Sequence, residues 1–156
     1  MNSRFNDPHR AQRDLLRGCE LLGGLPPDVL SELVAASRIV ELSANRTLYE
    51  AGELIREAHI LFNGSVKRAV SMPGGATRVI EIVQNEQLLG MGEVFSASHY
   101  ASTCSGITHA LLVAIDIRKL RDMVLHSHEL SCRIITALAR RQCATEFDAT
   151  GFHYGL

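Results

Sequence analysis

Eight short segments rich in β-branched and aliphatic residues follow one another between residues 38 and 117, each separated from the next by turn-forming residues. Breaks such as Asn63-Gly64 and Gly74-Gly75 are hairpin signals, because glycine adopts positive φ at no steric cost. The predicted strands cover residues 38–42, 46–50, 59–62, 65–72, 77–83, 88–89, 100–104 and 110–117. This number and spacing favour a closed or double-sheet β architecture of the jelly-roll type.

Helical periodicity flanks the β region on both sides. Residues 10–22 place leucines at helical spacing, and Pro26-Pro27-Asp28 opens a second helix. Beyond the strands we predict a short helix over 118–125 and a long amphipathic helix from Ser127, its N-cap, to about residue 147. The predicted organisation is a flexible N-terminus (1–9), a β-roll domain with N-terminal helices (10–125), a long helix (126–148) and a tail (149–156).

Composition excludes several classes of function. The net charge of −1 and the absence of a dense basic run argue against a nucleic-acid-binding surface. The four cysteines form no Cys-x-x-Cys pair, so we expect buried free thiols in a reducing cytoplasm. No apolar run has the length of a membrane span, and no signal peptide is evident. We find no nucleophile elbow, P-loop or cupin metal motif, so we expect no enzymatic activity and no metal site.

The order of helices, eight-stranded roll and long helix resembles the cyclic-nucleotide-binding domain of the Crp/Fnr superfamily. The phrases from Leu48 to Glu53 and from Leu61 to Lys67 resemble that family's turn and hairpin. The resemblance implies a mainly β fold with flanking helices. It would be a double-stranded β-helix (jelly roll) of the cyclic-nucleotide-binding-domain type, a sensor domain followed by a long C-terminal dimerisation helix.

The same resemblance marks residues 89–106 as a ligand cassette, in which the family uses a glycine-glutamate pair and an arginine. Gly90 falls at the glycine and Met91 at the glutamate, or Gly92-Glu93 supplies the pair in a register shifted by two. No arginine lies between Arg78 and Arg118 to hold a phosphate, so we expect no binding of cyclic AMP or cyclic GMP in the usual way. The candidate ligand-binding residues are Gly90, Met91, Gly92, Glu93, Val94, His99, Tyr100, Ala101, Ser102 and Thr145.

Residues 95–102 resemble instead the oxygen- and nitrogen-oxide-responsive branch of the family, some members of which bind haem. His99 is the candidate haem ligand, and an exposed loop histidine is the competing interpretation. We expect Met91 to fill the core, and Lys67, Arg68 and Arg78 to lie on solvated strand faces.

The resemblance implies a ligand-sensing regulatory domain of a Crp/Fnr-type transcription regulator with an unknown small-molecule effector. The alternatives are a haem-dependent sensor of NO, O2 or CO, an atypical cyclic-nucleotide receptor, and a ligand-free dimerisation module. We expect a cytoplasmic homodimer formed through the long helix. No helix-turn-helix follows that helix, so this chain alone is not expected to bind a specific DNA site. The predicted dimer interface comprises Leu130, Ile134, Ala137, Leu138 and Arg141.

Overall fold

The computed structural model describes residues 7–150, with side chains described for 7–146. The helices are α1 (Arg10–Gly18), α2 (Pro27–Ala35), α3 (Met91–Ser96), α4 (Ile117–His126) and α5 (His128–Thr150). The strands are β1 (Ser37–Leu42), β2 (Thr47–Tyr49), β3 (Glu57–Asn63), β4 (Val66–Ser71), β5 (Thr77–Val83), β6 (Gln87–Leu88), β7 (Thr103–Gly106) and β8 (Ala110–Asp116).

The strands form two four-stranded antiparallel sheets, in the orders β1-β8-β3-β6 and β2-β7-β4-β5. Strands β3 and β8 are buried along most of their length, and α4 packs against both of them, whereas α1 and α2 pack against β1. Strand β5 is an edge strand and is largely exposed. The mainly β jelly-roll prediction with flanking helices is confirmed.

Most element bounds differ from the sequence prediction by one or two residues, and three differences are larger. Helix α1 ends at Gly18 rather than at residue 22, because Cys19 adopts extended backbone and glycine is a poor helix former. Strand β7 begins at Thr103, three residues later than predicted. Helix α3 was not predicted, since six residues are too few to show a helical period.

Proline or a capping side chain stands at the starts of α2, α4 and α5. Pro27 occupies the first turn of α2, and Asp116 caps α4 by accepting a hydrogen bond from the Lys119 amide at 3.0 Å. Ser127 caps α5, as predicted, because its hydroxyl accepts from the Leu130 amide at 3.2 Å. Among the described residues, none of the helices combines the length and apolarity that a membrane crossing requires.

Candidate functional site

The predicted ligand cassette forms helix α3 and the loop that leads into β7. Gly90 precedes the helix with a φ of 56°, and a Cβ there would lie 3.4 Å from the Tyr49 hydroxyl. The left-handed backbone accounts for glycine at the position. Met91 and Val94 are buried in the core, so the prediction that Met91 is a core residue is confirmed.

The carboxylate of Glu93 lies at the centre of the cassette and accepts three hydrogen bonds. Its Oε1 accepts from the Arg68 guanidinium and from the Ser102 hydroxyl, the latter at 3.0 Å, and its Oε2 accepts from the Ala101 amide at 3.1 Å. The Glu93 side chain is only 14% exposed.

Arg68 belongs to β4 and bridges two carboxylates. Besides Glu93 it binds Glu81 of β5, with 2.5 Å between Arg68 Nη1 and Glu81 Oε2, and its Nε donates to Ser102 at 3.3 Å. Burial disfavours the charged guanidinium, but the hydrogen bond to Glu81 and the adjacent carboxylates raise the pKa of Arg68 above its ordinary value. Its charge is therefore compensated inside the protein.

A second ion pair extends this cluster to helix α5. Arg141 Nη2 donates to Glu81 Oε1 at 2.6 Å, and Gln87 donates to the same oxygen at 3.3 Å. Burial raises the pKa of the Glu81 carboxyl, but Arg68 and Arg141 outweigh burial and hold that pKa below its usual value. Glu93, Arg68, Glu81 and Arg141 thus form a continuous chain of alternating charges from the cassette to the long helix.

The solvated position predicted for Arg68 is wrong. Its side chain is 11% exposed, whereas Lys67 and Arg78 are exposed as predicted. The strand period contained the necessary signal, since Arg68 lies two residues after the buried Val66 and therefore on the same strand face. Arg68 is also paired directly with Glu81 in the β4–β5 register, which identifies an opposite-charge cross-strand pair.

Aromatic side chains fill the roll beside the cassette. The rings of Tyr49 and Tyr100 stack with centroids 3.6 Å apart, and the Tyr100 hydroxyl donates to the Glu57 carbonyl at 2.7 Å. Burial raises the pKa of both phenols. Tyr100 packs before β7 rather than within it, and Tyr49 was missed as a site residue because an isolated tyrosine in a strand gives no specific signal.

His59 of β3 is buried next to this stack, with its ring centroid 6.1 Å from that of Tyr49. Burial lowers the pKa of His59 to about 4, with Glu57 raising it and Arg38 lowering it further, so the imidazole is neutral at physiological pH. His59 and both tyrosines line a cavity of about 390 Å³, whose remaining lining residues are Arg38, Leu48, Glu53, Leu54, Arg56 and Glu57.

A larger cavity of about 440 Å³ lies between the roll and the long helix. Its apolar wall includes Ile60, Leu88 and Met91 from the roll, and Ala137 and Arg141 line it from α5. Because Met91 belongs to the cassette and Arg141 to the charge chain, a molecule in this cleft would contact both. The cleft has the size of a small-molecule site.

Other predicted ligand residues lie away from these cavities. His99 is exposed, its Nδ1 lies 2.8 Å from the Ser98 hydroxyl, and it lines neither of the two cavities described. Thr145 is exposed on α5, where its hydroxyl donates to the Arg141 carbonyl at 3.0 Å. A Cβ added at Gly92 would have no other atom within 4 Å.

The residues predicted for the dimer interface hold α5 to its own roll. Leu130 and Ile134 are 0% and 3% exposed in the single chain, and Ala137 and Leu138 pack against the same core. We predicted these residues to contact the α5 helix of a second subunit because α5 carries more apolar residues than one stripe requires. The sequence does not show which stripe packs against the core of the same chain. A large apolar side chain that α5 presents to solvent is Ile135, 65% exposed.

The cysteines divide into two classes. Cys19 and Cys104 are buried, and burial raises their thiol pKa to about 11 and about 12. Cys132 and Cys143 are exposed, so the prediction of burial is wrong for these two, and Cys132 lines the cleft between the roll and α5. Within residues 7–146, no three His, Cys, Asp or Glu side chains are grouped to bind a metal ion.

Comparison with known proteins agrees with this architecture. The family model described as "Cyclic nucleotide-binding domain" matches residues 39–127. A CRP-like cAMP-activated global transcriptional regulator of Mycobacterium tuberculosis is 23% identical over 128 residues, which are 82% of this chain and 57% of that protein. This chain therefore spans little more than half the length of that relative.

Two solved structures share the fold. The sensor domain of the transcriptional regulator DNR from Pseudomonas aeruginosa has a TM-score of 0.74 at 20% identity, covering 95% of this chain and 97% of that chain. The Thermus thermophilus catabolite activator protein has a TM-score of 0.68 at 15% identity, covering 83% of this chain and 61% of that one. With the family match spanning more than half of its length, this chain belongs to the cyclic nucleotide-binding domain family.

Proposed function

We propose that this chain is the ligand-sensing part of a Crp/Fnr-type transcription regulator and that it does not bind cyclic AMP or cyclic GMP in the usual way. One observation gives the strongest support to the proposed absence of cyclic AMP and cyclic GMP binding in the usual way. The Arg68 guanidinium, which reaches the cassette from β4, is already neutralised by Glu81 and Glu93. A phosphodiester placed there would meet two carboxylates together with the arginine, and a buried anion without its own cation is strongly disfavoured.

We assign the effector to the cleft between the roll and α5. Its apolar wall can bury a small molecule, and its lining residues come both from the cassette and from the helix that would report the signal. An effector that binds better to one packing of α5 against the roll than to another shifts the population of the two packings. The regulator as a whole, including a DNA-binding part and homodimerisation through α5, is part of this proposal.

Calorimetry tests the exclusion of the usual ligands. We expect no saturable heat when cyclic AMP or cyclic GMP is titrated, which places any Kd above about 1 mM, equivalent to about −4 kcal/mol. Micromolar binding that is abolished by Arg68→Met and retained by the exposed control Lys67→Met would contradict the proposal. That result would support the second candidate, an atypical cyclic-nucleotide receptor, which the position of the Arg68 guanidinium beside Glu93 of the cassette favours.

The cleft is tested with the apolar anionic dye 1-anilinonaphthalene-8-sulfonate. We expect saturable fluorescence enhancement, and loss of it in Ala137→Trp, because the indole fills the cavity that Ala137 lines. Ala139→Trp is the matched control, since Ala139 is exposed on the same helix and does not line the cavity. Equal dye binding by the two tryptophan variants would exclude the cleft as the site.

A dimer through α5 is tested by sedimentation velocity. We expect Ile135→Asp to weaken self-association, whereas Leu125→Asp, an equally apolar exposed position on α4, leaves it unchanged. A sedimentation coefficient that stays monomeric at high protein concentration would remove this part of the proposal.

A further inference from the structure

The cavity of about 390 Å³ that His59 lines is separate from the cleft between the roll and α5, because the two share no lining residue. We call it the His59 cavity. Its volume lies within the range of small-molecule sites, about 300–1,000 Å³. Three of its lining residues, Glu53, Leu54 and Arg56, are exposed, so the cavity is open to solvent on that side. A small molecule can therefore enter it without passing through the cleft.

His59 brings an unused hydrogen-bonding group to this cavity. The residue is only 6% exposed, and neither nitrogen of its ring has a hydrogen-bond partner among the described residues. Because burial lowers its pKa to about 4, the imidazole is neutral at physiological pH and presents one N–H donor and one acceptor nitrogen. A buried polar group without a partner carries a free-energy penalty, which an occupant of the cavity can remove.

The strand register explains the position of His59. Ala114 of β8 is paired with Arg38 of β1 on one side and with His59 of β3 on the other. Directly paired residues lie on the same face of a sheet, so these three side chains form one row. Arg38 and His59 both line the cavity, and the alanine between them takes up little of the space that separates their side chains.

The charged side chains of the lining favour an uncharged occupant. They comprise two arginines and two glutamates, so their formal charges cancel. Arg38 and Glu57 already bind each other through hydrogen bonds of 2.9 and 2.7 Å. A charged group placed beside His59 would lose its water without gaining an unpaired opposite charge from that pair, which is unfavourable.

We propose that the His59 cavity is a second small-molecule site, which binds an uncharged molecule whose apolar body carries a hydroxyl group. A hydroxyl both donates and accepts, so it can exchange hydrogen bonds with the imidazole. The apolar body packs against the apolar and aromatic part of the lining, which consists of Leu48, Leu54, Tyr49 and Tyr100. The inference goes beyond the proposed effector cleft and does not depend on it.

The His59 cavity borders the predicted ligand cassette. Tyr100 lines the cavity, and its backbone joins the exposed side of the cavity through two hydrogen bonds. Its amide donates to the Glu53 carbonyl at 2.9 Å, and its carbonyl accepts from the Gly52 amide at 2.7 Å. The Ile55 amide donates to the Ser98 carbonyl at 2.9 Å. An occupant that binds one arrangement of these segments better than another therefore shifts the conformation of the cassette.

Solution NMR of the ¹⁵N-labelled chain tests the site, with benzyl alcohol as the probe and toluene, which lacks the hydroxyl, as the matched control ligand. We expect benzyl alcohol to shift the His59 ring nitrogens saturably, and toluene to bind about two- to tenfold more weakly because one hydrogen bond is lost. His59→Phe should bind the two ligands equally. His109→Phe should keep the preference for the alcohol, since His109 is exposed and lines neither of the two cavities described.

Three results would overturn the proposal: shifts that do not saturate, shifts confined to the cleft, or a preference for the alcohol that His59→Phe retains. Should His59→Phe not fold, the ring nitrogens of the wild type become the readout, and equal shifts with both ligands would count against the site. Ala137→Trp, which fills the cleft, should leave benzyl alcohol binding unchanged. The dye test of the cleft and the NMR test of the His59 cavity therefore have independent outcomes.

Discussion

The buried neutral imidazole of His59 makes the stability of this domain depend on pH. Burial lowers the pKa of His59 to about 4 in the folded chain, whereas an unfolded histidine has a pKa of about 6.5. Below pH 6.5 the unfolded chain therefore binds a proton that the folded chain does not. The stabilisation is complete above that pH and is lost progressively as pH falls towards 4.

The magnitude follows from the shift. Each pKa unit corresponds to about 1.4 kcal/mol, so between pH 7 and pH 4.5 His59 should remove about 2–3 kcal/mol from the free energy of unfolding. Stopping at pH 4.5 separates this effect from Glu57 and Glu81, whose pKa values are lowered and whose contributions are lost only at more acidic pH.

Urea unfolding followed by circular dichroism, at fixed protein concentration, measures the effect. His59→Phe keeps an aromatic ring of similar size and removes the titration, so its stability should fall less than that of the wild type over the same pH range. Parallel stability curves for the two proteins, differing by a constant amount from pH 7 to pH 4.5, would refute the assignment of a buried neutral imidazole.

Three further predictions concern the cassette and the long helix. Arg68→Met leaves Glu93 and Glu81 without their shared cation and should lower the free energy of unfolding by about 3 kcal/mol, whereas Lys67→Met should change it by less than about 0.5 kcal/mol; equal effects in urea unfolding would show that the ion pairs contribute little. Leu130→Ala should lower stability by about 2–5 kcal/mol because the side chain is fully buried, and Ile135→Ala by less than about 1 kcal/mol; the reverse order at a protein concentration where the chain is monomeric would contradict the packing of α5. Gly90→Ala should lower the free energy of unfolding by about 1–2 kcal/mol, because alanine is strained at positive φ. An unchanged midpoint temperature in thermal unfolding would show that the backbone relaxes at this position.

The roll was predictable because its strands are short, rich in β-branched residues and separated by strong turn signals. These signals are local, so they appear in the sequence without knowledge of the fold. Helix α3 was missed for the opposite reason: the six residues Met91–Ser96 are held by the surrounding packing rather than by a cap, and no side-chain cap hydrogen bond forms at Gly90.

The charge chain could be predicted only in part. The pairing of Arg68 with Glu81 is a hairpin contact and is accessible from strand register. The contacts of Glu93 with Arg68 and of Arg141 with Glu81 join residues 25 and 60 positions apart in the sequence, and only the three-dimensional arrangement reveals them. The absence of an arginine inside the cassette was visible in the sequence, but its replacement by one from β4 was not.

The sequence does not show which apolar stripe of α5 packs against the chain's own core. Leu130 and Ile134 form an apolar stripe at helical spacing on α5. Such a stripe can pack against a partner helix or against the roll, because either would offer it an apolar surface. In the single chain the side chains of Leu130 and Ile134 are both buried in the core.

The attachment of α5 to the roll is uneven along its length. Its first two turns are anchored by Leu130, Ile134 and the hydrogen bonds of Arg133 to the Leu21 and Gly23 carbonyls, whereas an ion pair between Arg141 and Glu81, worth about 1 kcal/mol at this exposure, secures the helix further along. Amide hydrogens beyond Arg141 should consequently exchange through a local opening that leaves the anchored turns protected. The part of α5 beyond Arg141 is thus the segment of the helix that should need the least free energy to unfold locally.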